Sequence, residues 1–359
     1  MRMTKIKKMA VLVAILTATL LIPFSQNYAA EKYLKRYIYP FENDEGYFKY
    51  GSNMALLGNT LFVLENPKHH LLKFQFKNKK IAYLETFGRP GVGPGDLNLP
   101  ADFIIRNNII AIKDESGISF FDINGKFLSK FRLFTPHISL GYINDKIFYV
   151  TCTPGNPNLI QIFKKNGEFV KSFLKKFLVI DFKKQSKKNP FSAETYFYEG
   201  KILNDEKYVY FFSTKFGKVF KFDQNGNEIP VKKDILPYFG EKGSWIVEKN
   251  KKMIENGIEV IKGMNPVYGL FKDVCIFKNK IYILGFDIRT PDMEIRKMHK
   301  DLFILVLDKE TLNLEKTFWI NLGEEEFLQA FSVGERNGKP AFFSIIYGEE
   351  ELNIIEFYE

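Results

Sequence analysis

One short unit recurs along this chain and limits the folds available to it. A tight turn rich in Asn, Asp and Gly precedes a strand-like apolar run. The six turns fall at 58–59, 107–108, 144–145, 204–205, 278–279 and 337–338. An Asn-Gly pair recurs at 124–125, 166–167 and 225–226, and it favours hairpins in which both turn residues have positive φ. Such repetition predicts an array of small antiparallel sheets.

Each unit holds four strand-like segments, which in the first unit are YGSNMALL, TLFVLE, LLKFQF and KIAYLETF. Aromatic residues make up 16% of the chain, and they suit pleated, half-buried surfaces. Six such units predict an all-β, six-bladed β-propeller of four-stranded antiparallel blades. The spacing is uneven, so the pattern favours six blades over five or seven.

The two ends of the repeat region complement each other. The last unit stops at LNIIEFYE, one strand short of a blade, while KYLKRYIYPF near the start belongs to no blade. We expect this N-terminal strand to become the outer strand of the last blade, which closes the ring and removes an exposed sheet edge. The alternative is a disordered segment.

Residues 1–30 have the pattern of a secretory signal peptide. Four basic residues precede an apolar run over 9–22, and Ala29-Ala30 stand before Glu31. This run is shorter than the roughly 20 residues that span a bilayer. We expect cleavage near Ala30, export to the periplasm or beyond, and one propeller domain over 31–359 without a transmembrane span. A retained N-terminal anchor is the alternative.

The charge balance gives little support for a nucleic-acid partner. The leader holds four of the 52 Lys and Arg residues and no acidic residue, so 48 basic and 42 acidic residues leave +6. The densest lysine cluster, within 171–188, is interrupted by apolar residues and indicates a solvated surface rather than a phosphate-binding patch. We expect a monomer that binds no nucleic acid.

The connections between strands predict two unequal faces. Turns between first and second strands, and between third and fourth, are short and share one face. The longer segments share the other, and they include an insertion over 237–266 in which a short helix is predicted. Loops on a rigid scaffold are common sites of function. The aromatic candidates for ligand binding there are Tyr238, Phe239, Trp245 and Tyr268.

The stretch FGRPGVGPGDLNLP at 87–100 joins the first two units. Glycine and proline permit sharp turns, and neither the dinucleotide nor the P-loop pattern is complete. We therefore interpret it as a structural corner, with an anion-binding nest of amides as the alternative. Its corner residues are Gly91, Gly93, Pro94, Gly95 and Asp96.

The string GRPGVGPGD, followed by LNLPADFII, resembles a family of bacterial exported six-bladed propellers with a G-x-G-P-G-[DE] signature, related to NHL and TolB-like propellers. The resemblance covers about fifteen residues within 88–105. It implies a propeller fold and an exported location, and it carries no activity with it.

Polar residues near the start of the first strands form a second candidate site. Oxygen ligands from Asn53, Asp102, Glu194 and Gln329 would suit Ca²⁺ at the propeller axis. With His137 as general base, or Glu194 in a catalytic role, this predicts a metal-dependent hydrolase or lyase. The alternative is that these residues are polar because water fills the channel mouth.

No nucleophile elbow, zinc motif or C-x-x-C pair is present in the sequence. The favoured function is therefore a non-catalytic exported propeller that recognises a protein, peptide or glycan on the face with long connections. The calcium-dependent hydrolase or lyase is the alternative.

Overall fold

The computed structural model describes residues 33–42, 48, 51–133, 139–150, 156–177, 198–231, 234–256, 269–285, 301–323, 326–348 and 352–358. Within them, 24 strands form six separate four-stranded antiparallel sheets. The predicted six-bladed β-propeller is therefore confirmed.

The first three blades follow the chain from the inner strand outwards. Blade 1 contains β2 (Asn53–Leu57), β3 (Thr60–Glu65), β4 (His70–Lys77) and β5 (Lys80–Phe87). Blade 2 contains β6 (Asp102–Arg106), β7 (Ile109–Asp114), β8 (Gly117–Asp122) and β9 (Phe127–Phe131). Blade 3 contains β10 (Ser139–Ile143), β11 (Lys146–Val150), β12 (Asn158–Lys164) and β13 (Phe169–Lys175).

The last three blades follow the same order, except that the outer strand of blade 6 comes from the N-terminal part of the chain. Blade 4 contains β14 (Gly200–Asn204), β15 (Tyr208–Ser213), β16 (Val219–Asp223) and β17 (Glu228–Ile229). Blade 5 contains β18 (Phe271–Phe277), β19 (Lys280–Gly285), β20 (Asp301–Asp308) and β21 (Leu314–Asn321). Blade 6 contains β22 (Phe327–Arg336), β23 (Lys339–Tyr347) and β24 (Leu352–Tyr358), and its outer strand is β1 (Lys35–Tyr39).

The N-terminal strand closes the ring as predicted. β1 runs antiparallel to β24, with Lys35 opposite Tyr358 and Tyr39 opposite Ile354. The residues beside β1 reach both neighbouring blades. Leu34 N donates to Trp319 O of blade 5 at 3.0 Å, and Ile81 N of blade 1 donates to Pro40 O at 3.0 Å. We call residues 33–42 the strap, because they join three blades.

The hairpin turns follow two geometries that the sequence only partly predicts. At Asn107-Asn108 and Asn144-Asp145 both residues have positive φ, which matches the twist of two-residue hairpins. At Asn124-Gly125 only the glycine does, with φ of 81°, so the expectation of positive φ at both residues is wrong there. The Asp122 carboxylate accepts hydrogen bonds from Asn124 N and Lys126 N instead, which stabilises a longer turn.

The core lies between blades rather than within one sheet. The six inner strands, β2, β6, β10, β14, β18 and β22, each contact the next, and β22 contacts β2. Between blades 3 and 4, the rings of Phe173 and Phe222 lie edge to face at 4.7 Å. Between blades 1 and 2, Phe87 and Phe121 stack at 6.4 Å. These large apolar rings fill the wedge that opens between twisted sheets.

The predicted helical insertion is present on the face with long connections. A 3₁₀ turn, Leu236–Phe239, leads into helix α1, Gly240–Asn256. The Ser244 hydroxyl, in the second turn of the helix, donates to Gly240 O at 3.3 Å. Ile246 and Val247 are buried, and Asn250 donates to Lys215 O at 3.1 Å. Residues 257–266 of the insertion lie outside the described part of the chain.

Candidate functional site

Five polar side chains gather where the inner strands begin, on the face with long connections. We call them the axial ring; its members are Asn53, Asp102, Lys201, Asp273 and Gln329. Asn53 and Asp102 open β2 and β6, and Lys201 is the second residue of β14. Asp273 and Gln329 lie beside bulges near the start of β18 and β22. Five of the six blades therefore contribute a polar side chain near the axial start of the inner strand; we call this axial end of the face the opening.

Asp102 joins three blades. Its Oδ1 accepts hydrogen bonds from Asn53 Nδ2 at 2.5 Å and from Phe103 N at 2.9 Å, while Oδ2 accepts from Leu140 N at 3.1 Å. Burial raises the pKa of the Asp102 carboxyl, against the opposing effect of the Lys201 ammonium. A carboxyl so placed holds three neighbouring blades together.

Lys201 and Asp273 connect blades 4 and 5. Lys201 Nζ lies 3.3 Å from Asp273 Oδ1, and their side chains are 27% and 14% exposed. The charges compensate each other while both groups stay in reach of solvent. Among the described residues, the opening therefore offers donors and acceptors without a strong net charge.

Gln329 supplies a further donor. Its Oε1 accepts a hydrogen bond from Gly51 N at 3.1 Å, which joins blades 6 and 1. Within the described residues its side-chain NH₂ group has no hydrogen-bond partner, and the residue is half-buried. This NH₂ group is available to a ligand at the opening.

The predicted calcium ligands are placed only in part. Asn53, Asp102 and Gln329 all lie in the axial ring, while Glu194 and His137 fall outside the described residues. Among the residues that are described, no three His, Cys, Asp or Glu side chains form a group suited to a metal ion. The calcium site and its catalytic residues stay predictions.

We expect millimolar Ca²⁺ to leave the unfolding temperature unchanged. Both oxygens of Asp102 already accept hydrogen bonds, and an ammonium lies nearby. Thermal unfolding with Ca²⁺, and with Mg²⁺ as control, checks this, because a bound ion stabilises the folded state by mass action. A rise of several degrees with Ca²⁺ alone would contradict the expectation and favour the hydrolase hypothesis.

The aromatic candidates on the face with long connections differ in how deeply they are buried. Phe239 is 4% exposed and stacks on Phe271 at 6.2 Å, so it belongs to the core rather than to a binding surface. The Tyr238 hydroxyl donates to Leu312 O at 3.0 Å and holds the insertion on blade 5. Trp245 is 41% exposed, with Lys249 Nζ 5.3 Å from its ring. Tyr268 lies outside the described residues.

The glycine-proline stretch is stabilised by its own side chains. Asp96 accepts hydrogen bonds from Arg89 Nε at 2.7 Å and from Gly93 N at 3.1 Å. The Arg89 guanidinium lowers the pKa of Asp96. A Cβ on Gly91 would lie 2.4 Å from Asp96 Oδ2, so only glycine fits there. Asp96 occupies the position that an external anion would take in a nest, which supports the corner interpretation.

Sequence patterns missed Lys201 and Asp273. The strand-like pattern of blade 4 begins near residue 195 and that of blade 5 near 267, but the strands begin at Gly200 and Phe271. The sequence pattern therefore places both residues inside a strand rather than at its axial start. The bulge between Phe271 and Asp273 has no clear signal in the sequence.

Comparisons with known proteins agree with the fold. No protein-family profile matches the chain, and no curated protein matches its sequence. Its structure is similar to that of a "Putative exported protein" from Bacteroides fragilis, at 15% identity and a TM-score of 0.55, with 91% of this chain and 95% of that one covered. It is also similar to the structure of a DUF4221 family member from Bacteroides vulgatus, at 10% identity and a TM-score of 0.53, with 91% of this chain and 97% of that one covered. These likenesses show the propeller fold alone.

No helix in the described part of the chain is long and apolar enough to cross a membrane.

Proposed function

We propose that this protein is an exported, non-catalytic binding propeller that takes its ligand on the face with long connections, at the axial ring. The observation that carries the proposal is the convergence of polar groups from five blades on one opening. Ligand sites commonly combine a rigid frame with a few convergent polar groups. Protein, peptide and glycan ligands all fit this chemistry.

Our proposal also includes the location of the protein and the family to which it belongs. The leader pattern at 1–30 and the corner residues Gly91, Gly93 and Asp96 support export and membership in the exported propeller family that the sequence resembles. We expect the protein to act as a monomer, because β1 completes the last blade within the same chain.

Gln329→Glu is expected to weaken ligand binding at least tenfold. The substitution keeps the oxygen that accepts from Gly51 N and replaces the available NH₂ donor with an acceptor. Gln224→Glu is the matched control, since Gln224 lies in a turn on the opposite face. The measurement is titration of wild type and both variants against a panel of peptides and oligosaccharides. Equal weakening by both variants, or no binding to any member, would refute the proposal.

A further inference from the structure

The outer strands of blades 1, 2 and 3 share an irregularity that exposes an apolar side chain. In each of them a bulge leaves one residue without a partner on the neighbouring strand: Leu84 in β5, Leu128 in β9 and Val170 in β13. Their side chains are 45%, 40% and 42% exposed. A bulge re-aims the side chain of its extra residue, and here it exposes an apolar group in three consecutive blades.

The corresponding bulge of blade 5 shows that the fold does not require an apolar residue at this position. There the extra residue of β21 is Glu315, which pairs with Lys280. A single exposed apolar residue is common on protein surfaces, whereas a row of them is typical of an interaction surface. The repeated apolar residues of blades 1 to 3 therefore point to a partner.

The three hairpins that carry these residues form one continuous surface. We call it the rim strip, and it consists of residues 70–87, 117–131 and 158–175. The turn of each hairpin packs on the outer strand of the preceding blade. A Cβ on Gly125 would lie 2.8 Å from Phe87 Cδ1, and one on Gly167 would lie 2.9 Å from Phe131 Cβ. The exposed apolar side chains therefore follow one another along neighbouring blades.

The rim strip is strongly basic. Its three hairpins hold ten lysines and three acidic residues, and 10 − 3 leaves +7. The outer two strands of the other three blades, with their turns, hold five basic and seven acidic residues, and 5 − 7 leaves −2. Those segments are 219–229, 301–321, and 352–358 with 35–39. The positive charge of the propeller is therefore concentrated on one half of its rim.

Most of this charge is accessible from outside. Six lysines of the rim strip are exposed: Lys77, Lys79, Lys80, Lys126, Lys164 and Lys175. Within the part of the chain that the structure describes, Lys164 alone of these six has an ion pair, with Glu168 of the same turn at 2.7 Å. Clustered ammonium groups of this kind attract an anionic partner.

We propose that the rim strip docks the protein on an anionic phospholipid surface. The lysines lie on the headgroups, and the side chains of Leu84, Leu128 and Val170 insert between them. Binding of a protein to a lipid surface is strengthened by buried apolar area and by attraction of basic residues to anionic headgroups. The rim strip provides both contributions on one surface.

Two other occupants fit these observations less well. A second copy of the chain, related by twofold symmetry, would bring one basic strip against another. A polyanion free in solution would bind the lysines and leave the apolar side chains in water. The inference also goes beyond the proposed function, because the rim strip belongs to the third and fourth strands of its blades, whereas the axial ring belongs to the first.

The test is co-sedimentation of the mature chain with vesicles. The vesicles contain phosphatidylcholine alone, or phosphatidylcholine with phosphatidylglycerol. Each is used at about 0.1 M and about 1 M NaCl, because salt screens the attraction between lysines and headgroups. Inorganic polyphosphate is the competitor in solution.

Two variants separate charge from insertion, each with a matched control. The charge variant replaces four exposed lysines of the rim strip with glutamine, and its control does the same to four exposed lysines elsewhere. The first set is Lys77, Lys80, Lys126 and Lys175, and the second is Lys207, Lys218, Lys251 and Lys252. The apolar variant is Leu84→Gln with Leu128→Gln. Its control is Ile38→Gln with Leu314→Gln, which lie on the outer strands of blades 6 and 5 and are 42% and 38% exposed. Thermal unfolding checks that each variant is folded.

We expect the mature chain to bind the vesicles with phosphatidylglycerol, to bind them less at high salt, and not to bind phosphatidylcholine alone. The affinity should fall by about tenfold or more in the charge variant and by about fivefold in the apolar variant, and both controls should bind like the wild type.

Binding to neither kind of vesicle, or equal binding to both, would overturn the inference. Equal weakening by a rim variant and its control would overturn it as well. Displacement by polyphosphate, together with unchanged binding of the apolar variant, would assign the lysines to a soluble polyanion and overturn the lipid assignment. No axial residue is changed in these variants, so titration of Gln329→Glu tests the proposed function separately.

Discussion

Deletion of residues 31–41 is expected to lower the free energy of unfolding by on the order of 5 kcal/mol. The deletion removes the five-residue ladder with β24 and the hydrogen bonds to blades 5 and 1. It also removes the buried Leu34 and the Phe41 ring, which lies 5.9 Å from that of Phe74. For a chain of this size we expect the unfolding temperature to fall by about 10 °C.

The deletion also removes stabilising interactions from residues that remain in the chain. The Tyr39 hydroxyl donates to Glu356 Oε2 at 2.6 Å, and Arg336 Nη1 donates to the same oxygen at 3.0 Å. Glu356 is 1% exposed, so removal of Tyr39 leaves a buried carboxylate with one donor fewer. Without β1, β24 also becomes an open sheet edge, which favours aggregation.

The measurement compares thermal unfolding of the mature chain and of a chain that begins at Glu42. The peptide EKYLKRYIYPF, added in trans, is expected to restore much of the lost stability by pairing with β24, whereas a scrambled peptide of equal composition is not. Equal unfolding temperatures for the two chains would show that ring closure by the strap does not stabilise the folded protein.

Lys113→Met and Lys130→Met are expected to change stability in opposite directions, although both lysines lie in blade 2. Lys113 is 2% exposed; its ammonium donates to the carbonyl oxygens of Asp114 and Leu133. Burial lowers the pKa of Lys113 from 10.5 to about 8. At about 1.4 kcal/mol per pKa unit, charged Lys113 costs the folded state about 3 kcal/mol. Methionine removes this cost and deprives two carbonyls of a donor, so we expect a net gain of about 1–2 kcal/mol.

Lys130, unlike Lys113, stabilises the folded state. Its Nζ lies 2.9 Å from Asp114 Oδ2, and the Asp114 side chain is fully buried. Methionine at 130 leaves that carboxylate without its ammonium, which we expect to cost about 3 kcal/mol. The two variants should thus differ by roughly 4 kcal/mol in urea unfolding at pH 7. Destabilisation of similar size by both would contradict this account of Lys113.

The pH dependence provides a separate check on Lys113. Between pH 8 and 10.5 the unfolded chain holds this proton more firmly than the folded chain, so the Lys113 contribution to stability rises with pH. The advantage of Lys113→Met over wild type is present in full below pH 8 and disappears as the pH approaches 10.5. The groups that act on this ammonium are Asp114, Glu115 and Lys130. An advantage that stayed constant up to pH 10 would show that another property of methionine causes it.

Local sequence was sufficient to predict the architecture. Turn residues such as Asn107-Asn108 act within two or three positions, since positive φ is a local preference. The pairing of β1 with blade 6 was predictable, because the C-terminal unit lacks one strand and the N-terminal strand belongs to no other unit. Hydrogen-bonding groups at a sheet edge require a partner wherever that partner lies in the chain.

The candidate site required the folded structure. Lys201 and Asp273 are 72 positions apart in the sequence, and their contact depends on where β14 and β18 begin and on how two twisted sheets pack around an axis. The same packing buries Phe239 and leaves Phe327 and Tyr347 exposed, although all three are aromatic residues on the same face. Turn and strand preferences act between near neighbours, whereas burial depends on which distant surfaces meet. The residues therefore predicted the blades, and the packing of the blades against each other determined the opening at their centre.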